Sequence, residues 1–239
     1  MNYLDQLLFG YYPYVCLAVF FLGSWLRFDR DQYTWKSDSS QLLRKAQLRW
    51  GSNLFHFGVL FLFFGHFFGM LTPHFVYEPF ISAGSKQVLA MVSGGIAGTA
   101  AFIGASMLLH RRLTDARVRA TSKTSDIVIL VILWLQLALG LGTVPLSAQH
   151  LDGSMMMALA EWAQRIVTFR GGAAELLADA GWVFRAHMFL GMTFFLIFPF
   201  TRMVHVWSGF GTVAYLLRPY QLVRGRRMNL PADPGRGQA

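Results

Sequence analysis

Residues 51–71, GSNLFHFGVLFLFFGHFFGML, and residues 182–207, WVFRAHMFLGMTFFLIFPFTRMVHVW, decide how this chain is read. Each is apolar over the length a helix needs to cross the hydrocarbon core of a bilayer, about 20 residues. Each also carries two histidines: His56 and His66 in the first, His187 and His205 in the second. An imidazole inside a lipid-spanning helix is costly without a partner, so ionisable residues there mark candidate functional sites. A single histidine in a helix bundle is ordinarily satisfied by a hydrogen bond to a neighbouring helix. Four histidines, two on each of two helices and at compatible depths, are the minimum that holds two haems, each between a pair of imidazoles. Zinc and copper sites instead gather ligands a turn apart or add Cys and carboxylates, and these stretches have neither pattern.

Working outward, only 14% of the 239 residues are charged and mean hydropathy is +0.42, well away from the quarter or so charged that a soluble domain carries. Three further apolar stretches complete a set of five expected spans: Leu4–Leu26, Gly51–Leu71, Val88–Leu109, Ile127–Leu146 and Trp182–Val206. The first lacks a basic n-region and an A-x-A cleavage site, so it reads as a retained helix. The single cysteine, Cys16, lies in that span and offers no disulfide or iron–sulfur ligand set. No CxxCH occurs, so any haem is non-covalent and b-type. The expected fold is an all-α membrane protein, a bundle of five transmembrane helices spanning residues 1–226. Residues 227–239, rich in Pro and Gly, read as a disordered tail.

Charge orients the bundle. Of the 21 Lys and Arg residues, only Lys86, Arg165, Arg170 and Arg185 fall in the two segments on one side; the rest lie in Arg27–Arg49, His110–Thr124 and the C-terminal end. The positive-inside rule then places the N-terminus outside and the C-terminus in the cytoplasm. This also accounts for the net charge of +9 without nucleic acid. Span two runs outward and span five inward, so antiparallel geometry pairs His66 with His187 toward the outside and His56 with His205 toward the cytoplasm. On a continuous helix, His187 and His205 share a face, five turns and about 27 Å apart. His56 and His66 are separated by about 80° and about 15 Å. The difference of about 12 Å calls for helix tilt, unequal ligand reach or a kink at Pro199.

Glycines and cations leave alternatives open. Gly51, Gly58, Gly65 and Gly69 on span two, and Gly94 and Gly98 on span three, admit either a porphyrin or another helix. The phenylalanines of span two read as lipid-facing or core packing. Lys86, the only basic residue between spans two and three, stands on the side of His66; its ammonium suits a haem propionate or simple snorkelling to the interface. Arg111, Arg112 and Arg202 inside, and Arg185 outside, are propionate partners or topology-setting charges. His74, His110 and His150 fall near the expected interfaces and read as solvated or hydrogen-bonded.

The strings YPYV, GSWLRFDRDQYTW, SNLFHFG, GHFFGMLTPH, RVRATS, SAQHLDGSMM, VTFRGGA, FRAHMFLGMT, FPFTRMVHVWS and PYQLVR, running from about Tyr12 to Arg226, closely resemble the gamma subunit, or membrane cytochrome b subunit, of respiratory nitrate reductase. The resemblance implies a multi-pass protein of the bacterial cytoplasmic (inner) membrane with five spans and two b haems. Its haem ligands match His56 and His205 for the haem nearer the cytoplasmic partner, and His66 and His187 for the outer one. Its quinol site matches Lys86 and the backbone around Gly65 and His66. It implies that quinol is oxidised at the outer side and that electrons pass through both haems to an iron–sulfur (beta) subunit. From there they reach a molybdenum (alpha) subunit that reduces nitrate to nitrite; this chain carries no molybdopterin or iron–sulfur motif of its own. Two rival readings are a di-haem cytochrome b serving a hydrogenase or formate dehydrogenase, against which GHFFGMLTPH and SAQHLDGS argue, and a haem-free anchor that docks partners through its basic face.

Overall fold

In lipid every backbone N–H and C=O must be satisfied within the protein, which restricts spanning segments to helices or closed barrels. The computed structural model describes residues 3–31, 34–35, 45–149 and 151–208, and among these there are helices and no strands. Five helices are long and apolar enough to cross a membrane: Tyr3–Arg30, Gln47–Leu71, Ala83–Thr114, Thr124–Ser147 and Trp182–Phe200. They are the first to fifth spans below. By compactness the chain divides into two units, Met1–Val204 and His205–Ala239. His150, Lys36, Arg44, the basic residues from Arg218 onward and the tail 227–239 lie outside the described residues.

Within the first unit the close-packed neighbours are spans two and three, three and four, four and five, and one and five. The tightest of these seams, between spans two and three, is built by small residues. A Cβ on Gly104 would stand 2.4 Å from the backbone nitrogen of Phe55, and one on Gly58 would stand 2.5 Å from the carbonyl oxygen of Ala97. Gly51 similarly abuts Met107 and the Gly104 carbonyl. Gly65, Gly69, Gly94 and Gly95 have no heavy atom within 4 Å of a Cβ position. The glycines of span two therefore do two different things: Gly51 and Gly58 serve helix contact, whereas Gly65 and Gly69 face open space. Phe55, Ala101, Ala105, Ile129, Leu133 and Leu137 form the core shared by spans two, three and four. Phe57, Trp25 and Ile96, each about 70% exposed, form an apolar exterior of the kind a bilayer covers.

The fifth span departs from its expected course. Its α-helix ends at Ile197, a 3₁₀ turn covers Phe198–Phe200, Thr201 is extended, and a second 3₁₀ turn covers Arg202–Val204. Pro199 has no N–H to donate and cannot continue the ladder. Past the break, the carbonyls of Pro199 and Thr201 both accept from Arg27 Nη1 of the first span, at 2.6 and 2.8 Å. Gly23 leaves room for the proline ring, which would stand 3.0 Å from a Cβ there. His187 and His205 are thus not on one continuous helix, and the argument that five turns place them on a shared face does not apply.

A helix unexpected from the hydropathy pattern, Ser154–Val167, lies between spans four and five. Its apolar face carries Trp162 and Ile166 into a second core with Phe9, Ala173, Ala174, Leu177, Ala180 and Phe184. Trp162 Nε1 donates to the carbonyl of Phe9 at 2.9 Å. Gln164 on the same helix donates to the carbonyls of Met70 and Thr72, at 2.9 and 3.3 Å, and so satisfies the end of span two.

Gly104→Val should force spans two and three apart and cost about 1–3 kcal/mol, the usual penalty for overpacking. Gly95→Ala, which meets nothing, should cost none of this. Thermal unfolding of the two variants in detergent is the check; equal melting temperatures would contradict the seam.

Candidate functional site

His66 sits near the end of span two, and its Nδ1 lies 2.7 Å from the carbonyl oxygen of Leu62. A carbonyl can only accept, so Nδ1 carries a proton and donates it. His56 is set in the same way, with Nδ1 2.7 Å from the Ser52 carbonyl oxygen and 3.1 Å from Ser52 Oγ. In both imidazoles one ring nitrogen thus donates to a backbone carbonyl, an arrangement that ligating histidines also show.

His187 comes from span five, one turn into its helix. Its ring centre lies 6.3 Å from that of His66, with the ring planes at 44°. Two imidazoles bound to opposite sides of one metal ion, each about 2.0 Å from it, would have ring centres about 6 Å apart. Spans two and five are not among the close-packed pairs, so these two rings face each other across an interval between helices. Nδ1 of His187 is enclosed and has no hydrogen-bond partner. The open surroundings of Gly65 and Gly69, one residue before and one turn after His66, lie on the same span. The ring separation and the open glycine faces fit a planar group held between His66 and His187. His205 opens the second compact unit, in the helical turn 205–208, and is half-buried. Among the described residues no three of His, Cys, Asp or Glu come together as a metal cage would require.

Lys86 lies in the first turn of span three. Its Nζ donates to the carbonyl of Gly69 at 2.9 Å and stands 3.4 Å from the centre of the Tyr77 ring. The ammonium is thus brought against span two, one turn beyond Gly65. Tyr77, on the short helix His74–Tyr77, was not legible as a site residue. Burial pushes its phenol above the ordinary value, and the charge of Glu78 adds to the effect, so the ring under Lys86 stays neutral. His74 pairs with Glu78 at 3.2 Å and packs edge-on against Tyr77.

Three of the four candidate arginines make ion pairs within the protein. Arg112 and Arg202 flank Asp126, at 3.3 and 3.7 Å, and Asp126 is only 7% exposed. Arg111 is buried. Arg185 pairs with Asp5 and lies over the ring of Phe9, tying the first span to the start of the fifth. His110 is within 3.5 Å of Gln47. Lys86 and Arg112 stand near opposite ends of the single helix of span three, about 39 Å apart by helical rise, a separation that exceeds a hydrocarbon core of about 30 Å.

The family is decided by comparison with known proteins. A family model described as nitrate reductase gamma subunit matches residues 5–226. The chain belongs to that family. It is 57% identical over 227 residues to the respiratory nitrate reductase 2 gamma chain of Escherichia coli (strain K12), covering 95% of this chain and 100% of the relative. The respiratory nitrate reductase 1 gamma chain of the same organism is 53% identical over 226 residues, with coverage of 95% and 100%. The nitrate reductase gamma chain of Bacillus subtilis (strain 168) is 37% identical over 222 residues, with coverage of 92% and 98%. As a nitrate reductase gamma subunit with five helices able to span a bilayer, the chain is a multi-pass membrane component of an oxidoreductase complex and works with catalytic partner subunits.

In this gamma subunit the Tyr77 ring holds the Lys86 ammonium through a cation–π contact worth about 0.5–2 kcal/mol. Tyr77→Leu should make Lys86 several-fold more reactive toward an amine-modifying reagent, read by mass spectrometry of the membrane-embedded protein. Unchanged labelling would show that the ring does not restrain it.

Proposed function

We propose that this gamma subunit is the quinol-oxidising di-haem cytochrome b of a respiratory nitrate reductase, set in the bacterial inner membrane with its N-terminus outside and C-terminus in the cytoplasm. The observation that carries the reading is the His66–His187 pair, 6.3 Å between ring centres across an interval between helices. His66 and His187 would hold the outer b haem, and His56 and His205 the inner one. When bound, such haems supply one-electron carriers whose potentials are tuned by their ligands and surroundings.

The chain's own residues do the rest. Nδ1 of His66 and of His56 each donate to a carbonyl one turn back, which holds the rings in a fixed orientation. Lys86 would donate to a quinol ring oxygen in exchange for the Gly69 carbonyl, and the open face at Gly65 would let the quinol ring approach. Protons released beside Lys86 would leave on the outer side. Electrons would move inward to the iron–sulfur (beta) subunit and then to the molybdenum (alpha) subunit, where nitrate is reduced to nitrite. Positive-inside charge supports the orientation, and the relatives' names support nitrate reductase over a hydrogenase or formate dehydrogenase as the complex served.

A reduced-minus-oxidised spectrum of the purified subunit, with haem quantified against protein, tests the reading. Two b haems per chain are expected; a chain without b-type bands would be a haem-free anchor. His66→Tyr should lower the count to one and stop quinol oxidation while the protein remains in the membrane. Lys86→Ala should keep both haems and lose quinol turnover by an order of magnitude or more. Wild-type turnover in that variant would remove Lys86 from the site.

A further inference from the structure

The fourth span carries no histidine, yet it seats His187. A Cβ on Gly140 would stand 3.0 Å from Cε1 of the His187 ring, 3.5 Å from its Nδ1 and 3.7 Å from its Nε2. The imidazole therefore lies directly against the helix backbone, in a notch that only glycine leaves. One turn earlier, Gln136 donates from Nε2 to the backbone carbonyl of His187 at 3.1 Å, and the same nitrogen is 3.5 Å from the ring Nε2. Gln136 in turn occupies the notch left by Gly191, where a Cβ would stand 3.1 Å from its amide nitrogen. The arrangement is reciprocal. Gln136 and Gly140 are four apart on span four, His187 and Gly191 are four apart on span five, and each glycine receives the other helix's polar side chain.

An amide in ILVILWLQLALGLG is costly in lipid for the same reason as an imidazole. Gln136 has spent only part of its capacity: its Oε1 is enclosed without a hydrogen-bond partner, as is Nδ1 of His187. His56 and His66 are oriented by a carbonyl of their own helix, whereas the backbone of His187 is held, and its ring seated, by span four. We propose that Gln136 and Gly140 are positioning residues for the outer histidine, together fixing the azimuth of the His187 ring toward His66. Gly140 sets how close the ring lies to span four, and Gln136 holds the backbone from which it projects. The inference rests on the outer-haem reading above.

The test uses the full complex in membranes, with the EPR signal and midpoint potential of each haem followed separately. Gly140→Ala should move the outer-haem signal and potential, or reduce outer-haem retention by about 10-fold or more, with the inner haem unmoved. Gln136→Met keeps the bulk in the Gly191 notch and removes the hydrogen bond; it should shift the same signal and leave both haems bound. Gly142→Ala, whose Cβ would make only an ordinary 3.5 Å contact with Val183, is the control and should change neither haem. If Gly140→Ala fails to accumulate in the membrane, Gln136→Met decides. Two haems in the wild type, with outer-haem signal and potential unaltered in Gln136→Met and Gly140→Ala, would overturn the positioning role. A wild type without b-type bands would instead overturn the haem reading beneath it.

Discussion

Hydrocarbon offers polar groups no partner, so each one inside the bundle must find its partner on the protein. The structure is largely the set of answers to that demand. The carbonyls past the Pro199 break in span five are met by Arg27 from span one. The carbonyls ending span two are met by Gln164 from the loop helix. Asp126 is met by Arg112 and Arg202, and Lys86 by a carbonyl and an aromatic face. Helix-to-helix apolar contact drives little association in lipid; close approach of small residues and cross-helix polar contacts do more. The Gly58 and Gly104 seam and these polar links are therefore what hold the first unit's spans in register.

Against that background the interval between spans two and five stands out. Its facing groups are two imidazoles, one with an enclosed nitrogen left without a partner, and the same stretch of span two carries glycines whose faces meet nothing. A seam built for helix contact looks different, as spans two and three demonstrate. The proposed outer haem accounts for the histidines, the glycines and the placement of Lys86 together, and a structural histidine pair accounts for the first alone.

The five spans were readable because length and apolarity are local properties, and the structural boundaries extend the expected ones by a few residues at most ends. The loop helix Ser154–Val167 was missed although Trp162 and Ile166 recur at helical spacing, because part of its partner face, Phe9, is remote in the chain. The fifth helix's end was only half readable. Pro199 signals a disruption, but whether a helix kinks or stops depends on what receives the carbonyls past it, and here Arg27 does. Gln136 carried the same signal as the histidines, a costly polar group in an apolar span, and could have been singled out by the same argument.

The sequence by itself determined the number of spans, the two histidines of the second span, the asymmetry of basic charge and the family. Each of these is a property of composition along the chain. Only the tertiary structure decided which glycines are helix contacts and which are open, that His66 and His187 stand ring to ring, that Tyr77 underlies Lys86 and that span four seats His187. These depend on distances between residues some 10 to 120 positions apart, and in a bilayer such distances are set by which helices can approach closely and which polar groups still need a partner.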